Sequence, residues 1–262
     1  MNSFTHEELK VLEKKYRLTV KTKPSVLSIP TVDLLDEQQL YTFLVHLKEK
    51  IKSANVMVAA SLFVKRYSFA ILIALYSMSA LNKRVDFSIN NISVETLEES
   101  DVLWLPSFKL DNLVIEEASD LNRLKWRDDI LKQVFADHVD LLFTQINRTT
   151  KLSKKIMWEN LYIYIRWMYQ NLLDDSQFSG FHHTIANDFH YILKKATSSL
   201  FGSYDQNPFL IYNNSKQHIE QNNQTVLKRT TCCYSYLVGD KDNFCKICPI
   251  VRNHKRARIE RL

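Results

Sequence analysis

The stretch NVMVAASLFVKRYSFAILIALYSMSAL, Asn55 to Leu81, constrains this chain more than any other. It is apolar on most helical faces, so it has to be surrounded wherever it lies. Lys65 and Arg66 interrupt it near its middle, and the uncharged run after Arg66 falls short of the ~20 residues that cross a bilayer. A charged pair at the centre of a spanning helix is costly. The run is therefore expected to be the central helix of a core, with no transmembrane segment. Its two cations then need carboxylate partners or a ligand pocket, and residue type does not choose between these.

Around that helix the periodicity predicts further elements. Thr5 and Glu8 form a capping-box pattern ahead of Leu9, Leu12 and Tyr16, which predicts a short first helix. After a linker with Pro24 and Pro30, Leu40, Phe43, Leu44, Leu47 and Ile51 recur at helical spacing, and this helix should pack on the apolar one. Alternation at Val85, Phe87 and Ile89, then at Ile92 and Val94 after Asn90-Asn91, predicts a hairpin. Val102–Phe108 and Leu113–Glu117 are further strand candidates. Helical spacing returns from Leu124 to Leu142, across KKIMWENLYIYIRWMYQNLL, and from Ile185 to Leu200. The expected fold is α+β, a helix-rich single domain with a small, mainly antiparallel sheet. The expected division is a body over residues 1–215 and a C-terminal cysteine segment with a basic tail over 216–262, the boundary falling among the polar loop residues between Gly202 and Thr225.

Three glycines in 262 residues leave no room for a glycine-rich nucleotide cradle, and no serine-histidine-acid, thiol-histidine or paired-carboxylate arrangement supports a hydrolase. The N-terminus lacks the pattern of a secretory signal, so the expected compartment is the cytoplasm, where a tight cysteine group binds metal or does redox work more often than it forms disulfides. Histidines 182, 183 and 190 lack a third ligand at suitable spacing and are expected to be structural or on the surface. Of the dense aromatics Tyr162, Tyr164, Trp167 and Tyr169, half are expected to line the core.

All four cysteines lie near the C-terminus as Cys232, Cys233, Cys245 and Cys248, an adjacent pair answered by CxxC. Four thiolates suit either a tetrahedral zinc or a two-iron, two-sulfide cluster, and ligand type alone does not choose. Zinc sites usually join two knuckles of the CxxC kind, and only one half has that form here. Adjacent side chains diverge in most backbone conformations, so the larger cluster is the easier target for Cys232 and Cys233. The net charge is +6, and Arg252, Lys255, Arg256, Arg258 and Arg261 make the tail basic. No aromatics interleave with these residues as in a stacking surface for nucleic acid, and no nucleic-acid partner is expected.

The order CC, spacer, CxxCP, standing here as Cys232, Cys233, Cys245, Cys248 and Pro249, resembles the C-terminal signature of the FhuF-type ferric-siderophore reductases. Arg229 before the pair, Tyr234 and Tyr236 after it, the run Ala60–Arg66, the strand region that follows it, and Trp158-Glu159-Asn160 are similar to that family as well. The spacer Tyr234–Phe244 is one residue longer than the family's usual one, which loop closure should tolerate. The resemblance implies a [2Fe-2S] cluster on the four cysteines. It also implies one-electron reduction of an imported ferric siderophore or ferric citrate-like chelate, releasing Fe(II), with an electron donor that the sequence does not identify. Arg66, Arg229, Arg252, Lys255 and Arg256 are the expected contacts for the anionic chelate, in a cleft between the helical body and the C-terminal segment. The alternative is a zinc-stabilised, non-enzymatic binding module with a basic tail.

Overall fold

The computed structural model describes residues 3–97, 103–117, 122–214, 218–221, 224–227, 229–239, 244–245 and 247–250. Helix α1, His6–Tyr16, begins with both halves of the capping box in place, Thr5 Oγ1 accepting from the Glu8 amide and Glu8 from the Thr5 amide. Short strands β1, Leu18–Thr19, and β2, Ile29–Pro30, lead to α2, Glu37–Lys50, capped by Asp36. Then comes α3, Val56–Ala80, whose N-cap Asn55 accepts from the Val58 amide.

α3 is the axis of the molecule. It packs against α1, α2 and, from the second half of the chain, α4 (Arg123–Val134), α5 (Asp140–Thr150), α6 (Lys154–Asp174) and α7 (His182–His190). It is long and apolar enough to cross a membrane by length and composition, but 72% of its most apolar window is buried inside the fold. Beyond its first two residues only Lys65, Arg66 and Phe69 are not fully buried, so the helix has a single window, on one face near its middle.

The remaining strands are β3 (Lys83–Val85), β4 (Ile92–Glu95), β5 (Ser107–Leu110) and β6 (Ile115–Glu117). One sheet has the order β1-β5-β4-β2, parallel only between β1 and β5; β3 pairs antiparallel with β6 in a second, two-stranded sheet. The fold is thus α+β and helix-rich, with small and mainly antiparallel sheets.

The expected hairpin at Asn90-Asn91 does not form. Ile89–Asn91 is a 3-10 turn, and the flanking strands join different sheets. The buried Asn91 amide donates to Asp86 O (2.7 Å) and Asn112 O (3.0 Å), so it anchors the β5–β6 connection to the turn and leaves no two-residue loop to fold β4 back on β3. The strand expected from Val102 starts only at Ser107. Val102 lies outside the described residues, and Trp104 sits in the left-handed region (φ 44°), buried, with its indole N–H on Thr96 Oγ1.

A π turn at Phe135–Val139 joins α4 to α5 and places His138 at full burial. Near the C-terminal end, α8 (Leu210–Asn214) brings Tyr212 onto Tyr162 of α6, just after Phe209 has packed on Trp158. A hairpin of β7 (His218–Gln221) and β8 (Gln224–Leu227) follows and leads into the cysteine segment.

Candidate functional site

The cysteine segment is laid onto the body by three elements. The turn after α2 receives its far end, where Ala54 N donates to Leu237 O (3.0 Å) and Gly239 N to Ile51 O and Lys52 O. α3 receives its middle, where Ser61 Oγ donates to Cys233 O (2.8 Å). α6 receives its start. Glu159, only 2% exposed, accepts the amides of Thr230 (2.6 Å) and Thr231 (2.8 Å) together with both threonine hydroxyls. Next to it Asn160 donates to Ser61 O and accepts from Arg229 (2.7 Å), whose guanidinium lies 3.7 Å from Glu159 and also donates to Thr231 O.

The sequence places these anchors where they are needed. Ser61 and Lys65 are one turn apart on the same face of α3, as residues four apart must be. Ser153 caps α6 by accepting from the Lys155 amide, and Trp158 is held by Phe143, Phe209 and the Tyr204 hydroxyl. That fixes the helix so that the next two residues face the C-terminal segment.

The four thiols lie near one another. Tyr234, in the left-handed region (φ 58°), turns the backbone so that its own N–H donates to Cys232 Sγ (3.3 Å). Cys233 faces inward, 3% exposed, with its sulfur 2.8 Å from the Ser235 hydroxyl and 3.8 Å from Lys65 Nζ. Lys65 Nζ also donates to Ser235 Oγ (3.0 Å). Cys248 is buried, while Cys232 and Cys245 are partly exposed. The second half of the set, turned on itself by Cys248 N on Cys245 O, is tied to the first by Arg229 N on Ile247 O and by the stack of Tyr236 on Phe244.

Electrostatics single out one sulfur. The Cys233 thiol is held well below the usual thiol range by a hydrogen bond from Cys245, with Lys65, Arg229 and Ser235 adding to it against the cost of burial. Cys245, as the donor of that pair, is pushed up. Burial raises Cys232, and Cys248 and Cys233 beside it add to that. Each member of the adjacent pair therefore has a partner in CxxC: Cys233 with Cys245, and Cys232 with Cys248.

The expected contact residues fare differently. Arg229 is buried and its guanidinium is engaged with Glu159, Asn160 and Thr231, so it does not reach out to an external chelate; its charge nevertheless acts on Cys233. Arg66 is half-buried and its Nε has no hydrogen-bond partner among the described residues. Arg252, Lys255 and Arg256 lie outside the described residues. Lys65 pairs with no carboxylate among the described residues; its Nζ stands against Cys233 Sγ and Ser235 Oγ. Ser235 and Glu159 were not singled out as site residues; the sequence signal for Glu159 is its place in the Trp158-Glu159-Asn160 run.

His183 and His190 are exposed and His182 Nε2 lies 3.2 Å from Asp175 O. Tyr162 and Tyr169 line the core, whereas Tyr164 and Trp167 stand at its edge beside Phe69. A cavity of about 520 Å³ lies apart from the thiols, between Lys15 and Tyr16 of α1 and Trp167 and Asp174 of α6 with Asp175 just after it. It is not the expected cleft against the C-terminal segment.

The donor set suits a soft metal or a cluster. The four thiols lie near one another, and a cation and a hydroxyl stand against the Cys233 sulfur, as suits the negative charge of a metal–thiolate centre. Among the described residues the side chains are not spaced as a coordination shell for a single ion. Compared with known proteins, the chain matches no family model, no curated protein and no solved structure.

Proposed function

We propose that this chain is a cytoplasmic ferric-siderophore reductase whose four cysteines hold a [2Fe-2S] cluster. The observation that carries this reading is the thiol site itself, with Cys232 and Cys245 partly exposed and the buried Cys233 backed by Lys65 and Ser235. Such a cluster supplies a reversible one-electron couple. The substrate is Fe(III) in a siderophore or citrate-like chelate. It gains one electron to become Fe(II), which the hard oxygen ligands hold far less well, and no covalent bond of the chelator breaks. The electron lost is replaced by an external one-electron donor of the ferredoxin or reduced-flavin class.

In this scheme the protein's residues hold and bias rather than react. Glu159, Asn160 and Ser61 hold the backbone from Arg229 to Cys233 in place, and Cys232 and Cys245 bring the centre close to the surface, where a chelate need only approach. Arg66, in the same window on α3, is one described cation that can attract an anionic chelate. The basic residues Arg252, Lys255 and Arg256 extend that charge in sequence.

The competing reading is a zinc-stabilised binding module, since thiolates are equally suited to zinc by ligand type. Anaerobically purified protein should be red-brown, bleach with dithionite and give a reduced-state EPR signal, and ferric chelates should reoxidise it. A colourless, folded protein holding one zinc would exclude the reductase. Cys233→Ser should abolish the chromophore; an unchanged spectrum would mean that the ligand set is wrong.

A further inference from the structure

Burying an ammonium group is costly unless something nearby carries compensating negative charge. Lys65 stands in the one window of α3, half-buried, with no carboxylate paired to it among the described residues. What lies against it is Cys233 Sγ, and Ser235 holds it there, 3.0 Å from Nζ on one side and 2.8 Å from the sulfur on the other. The triangle Lys65–Ser235–Cys233 joins α3 to the first turn after the adjacent cysteines. Nothing similar serves the other sulfurs: Cys232 receives a backbone N–H from Tyr234, and no lysine or arginine side chain hydrogen-bonds Cys245 or Cys248 among the described residues.

We propose that Lys65 is the positioning residue that sets the reduction potential of the thiol-bound centre, acting through Cys233 and held in place by Ser235. The inference rests on the reading of the site as a [2Fe-2S] centre. Adding an electron makes a metal–thiolate centre more negative, so a cation and an N–H donor on one ligand sulfur stabilise the reduced form more than the oxidised one. Lys65 thereby makes the centre easier to reduce by its donor, at the cost of some driving force toward the chelate. Because the ammonium is partly withdrawn from water, added salt screens it less than it screens an exposed charge.

The test is a potentiometric titration of reconstituted protein, followed by visible absorption and EPR. In Lys65→Met the stem is kept and the charge removed. The cluster spectrum should persist while the equilibrium constant for reduction falls at least tenfold, about 59 mV for a one-electron couple. Lys65→Arg should recover most of that shift. Lys65→Met with an intact spectrum and a wild-type potential overturns the inference and leaves the cluster reading standing. Wild-type protein that takes zinc and no iron overturns both. If Lys65→Met does not retain iron, Ser235→Ala decides: it removes the anchor and should lower the potential in the same direction, and an unchanged potential there also overturns the proposal.

Discussion

Glu159 is almost out of contact with solvent, yet its two oxygens receive two amides and two hydroxyls from the start of the cysteine segment and lie beside Arg229. Removing one partner of such a buried pair leaves the other charge uncompensated, which typically costs about 3–5 kcal/mol. Glu159→Ala should therefore release residues 229–233 from α6. Hydrogen exchange at the Thr230 and Thr231 amides should accelerate by orders of magnitude, with cluster loading lost alongside; unaltered protection at both amides would rule this anchor out. Glu159→Gln, which keeps one acceptor oxygen, should be intermediate. The grouping of the four thiols was legible from their spacing, and Arg229 from its place before them. Glu159 was legible as part of a helix and of the Trp158-Glu159-Asn160 run, but not as an anchor, because its partners lie some seventy residues away and periodicity encodes a buried face rather than what it is buried against.

At the scale of elements, the π turn between α4 and α5 drives His138 between α3 and the segment after β3. Its Nε2 is 2.6 Å from the Tyr67 hydroxyl, its Nδ1 is 3.0 Å from Phe87 O, and its ring stacks on Phe87. Burial lowers its pKa to about 4 despite the hydrogen bond to Phe87, which opposes the shift. The unfolded chain, with histidine near its ordinary value of about 6.5, thus binds a proton that the folded one refuses. This contribution to stability is complete above about pH 6.5, falls as pH drops toward 4, and amounts to roughly 3 kcal/mol over that range. Urea unfolding at pH 7, 5.5 and 4.5 should show this loss, and His138→Gln should flatten it; equal slopes in the two proteins would contradict the assignment. The helical spacing through Val134 and His138 was visible in the sequence. The hairpin expected at Asn90-Asn91 was not realised, because a turn signal does not say which strand comes next to which, and Asn91 ties its turn to Asn112 instead.

At the scale of the whole molecule, the core is assembled around α3 by helices from both halves of the chain, with Leu72, Ile73, Leu75 and Met78 fully buried among them. The thiols lie at its margin. If the thiols hold the proposed cluster, removing it should therefore leave the protein folded, unlike small metal domains whose binding energy is their folding energy. Chelator-treated protein, and a variant with all four cysteines changed to serine, should keep native far-UV circular dichroism and a cooperative thermal transition. What should change is the protection of residues 229–239. Collapse of the helical signal on metal removal would move the thiols from the margin into the core of the folding problem.

The sequence by itself determined the helices, through capping residues and the spacing of apolar positions, and it grouped the four thiols, which lie near one another in the fold. It also showed that Lys65 and Arg66 were out of place in an apolar helix. Tertiary structure alone decided that Lys65 meets Cys233, that Arg229 is enclosed by Glu159 and Asn160, and that β3 and β4 part into separate sheets. The physical reason is the range of the forces involved. Caps and amphipathic faces act within a turn or two of the chain, whereas the partner of a buried charge or a strand edge is selected by packing among segments that are distant in sequence.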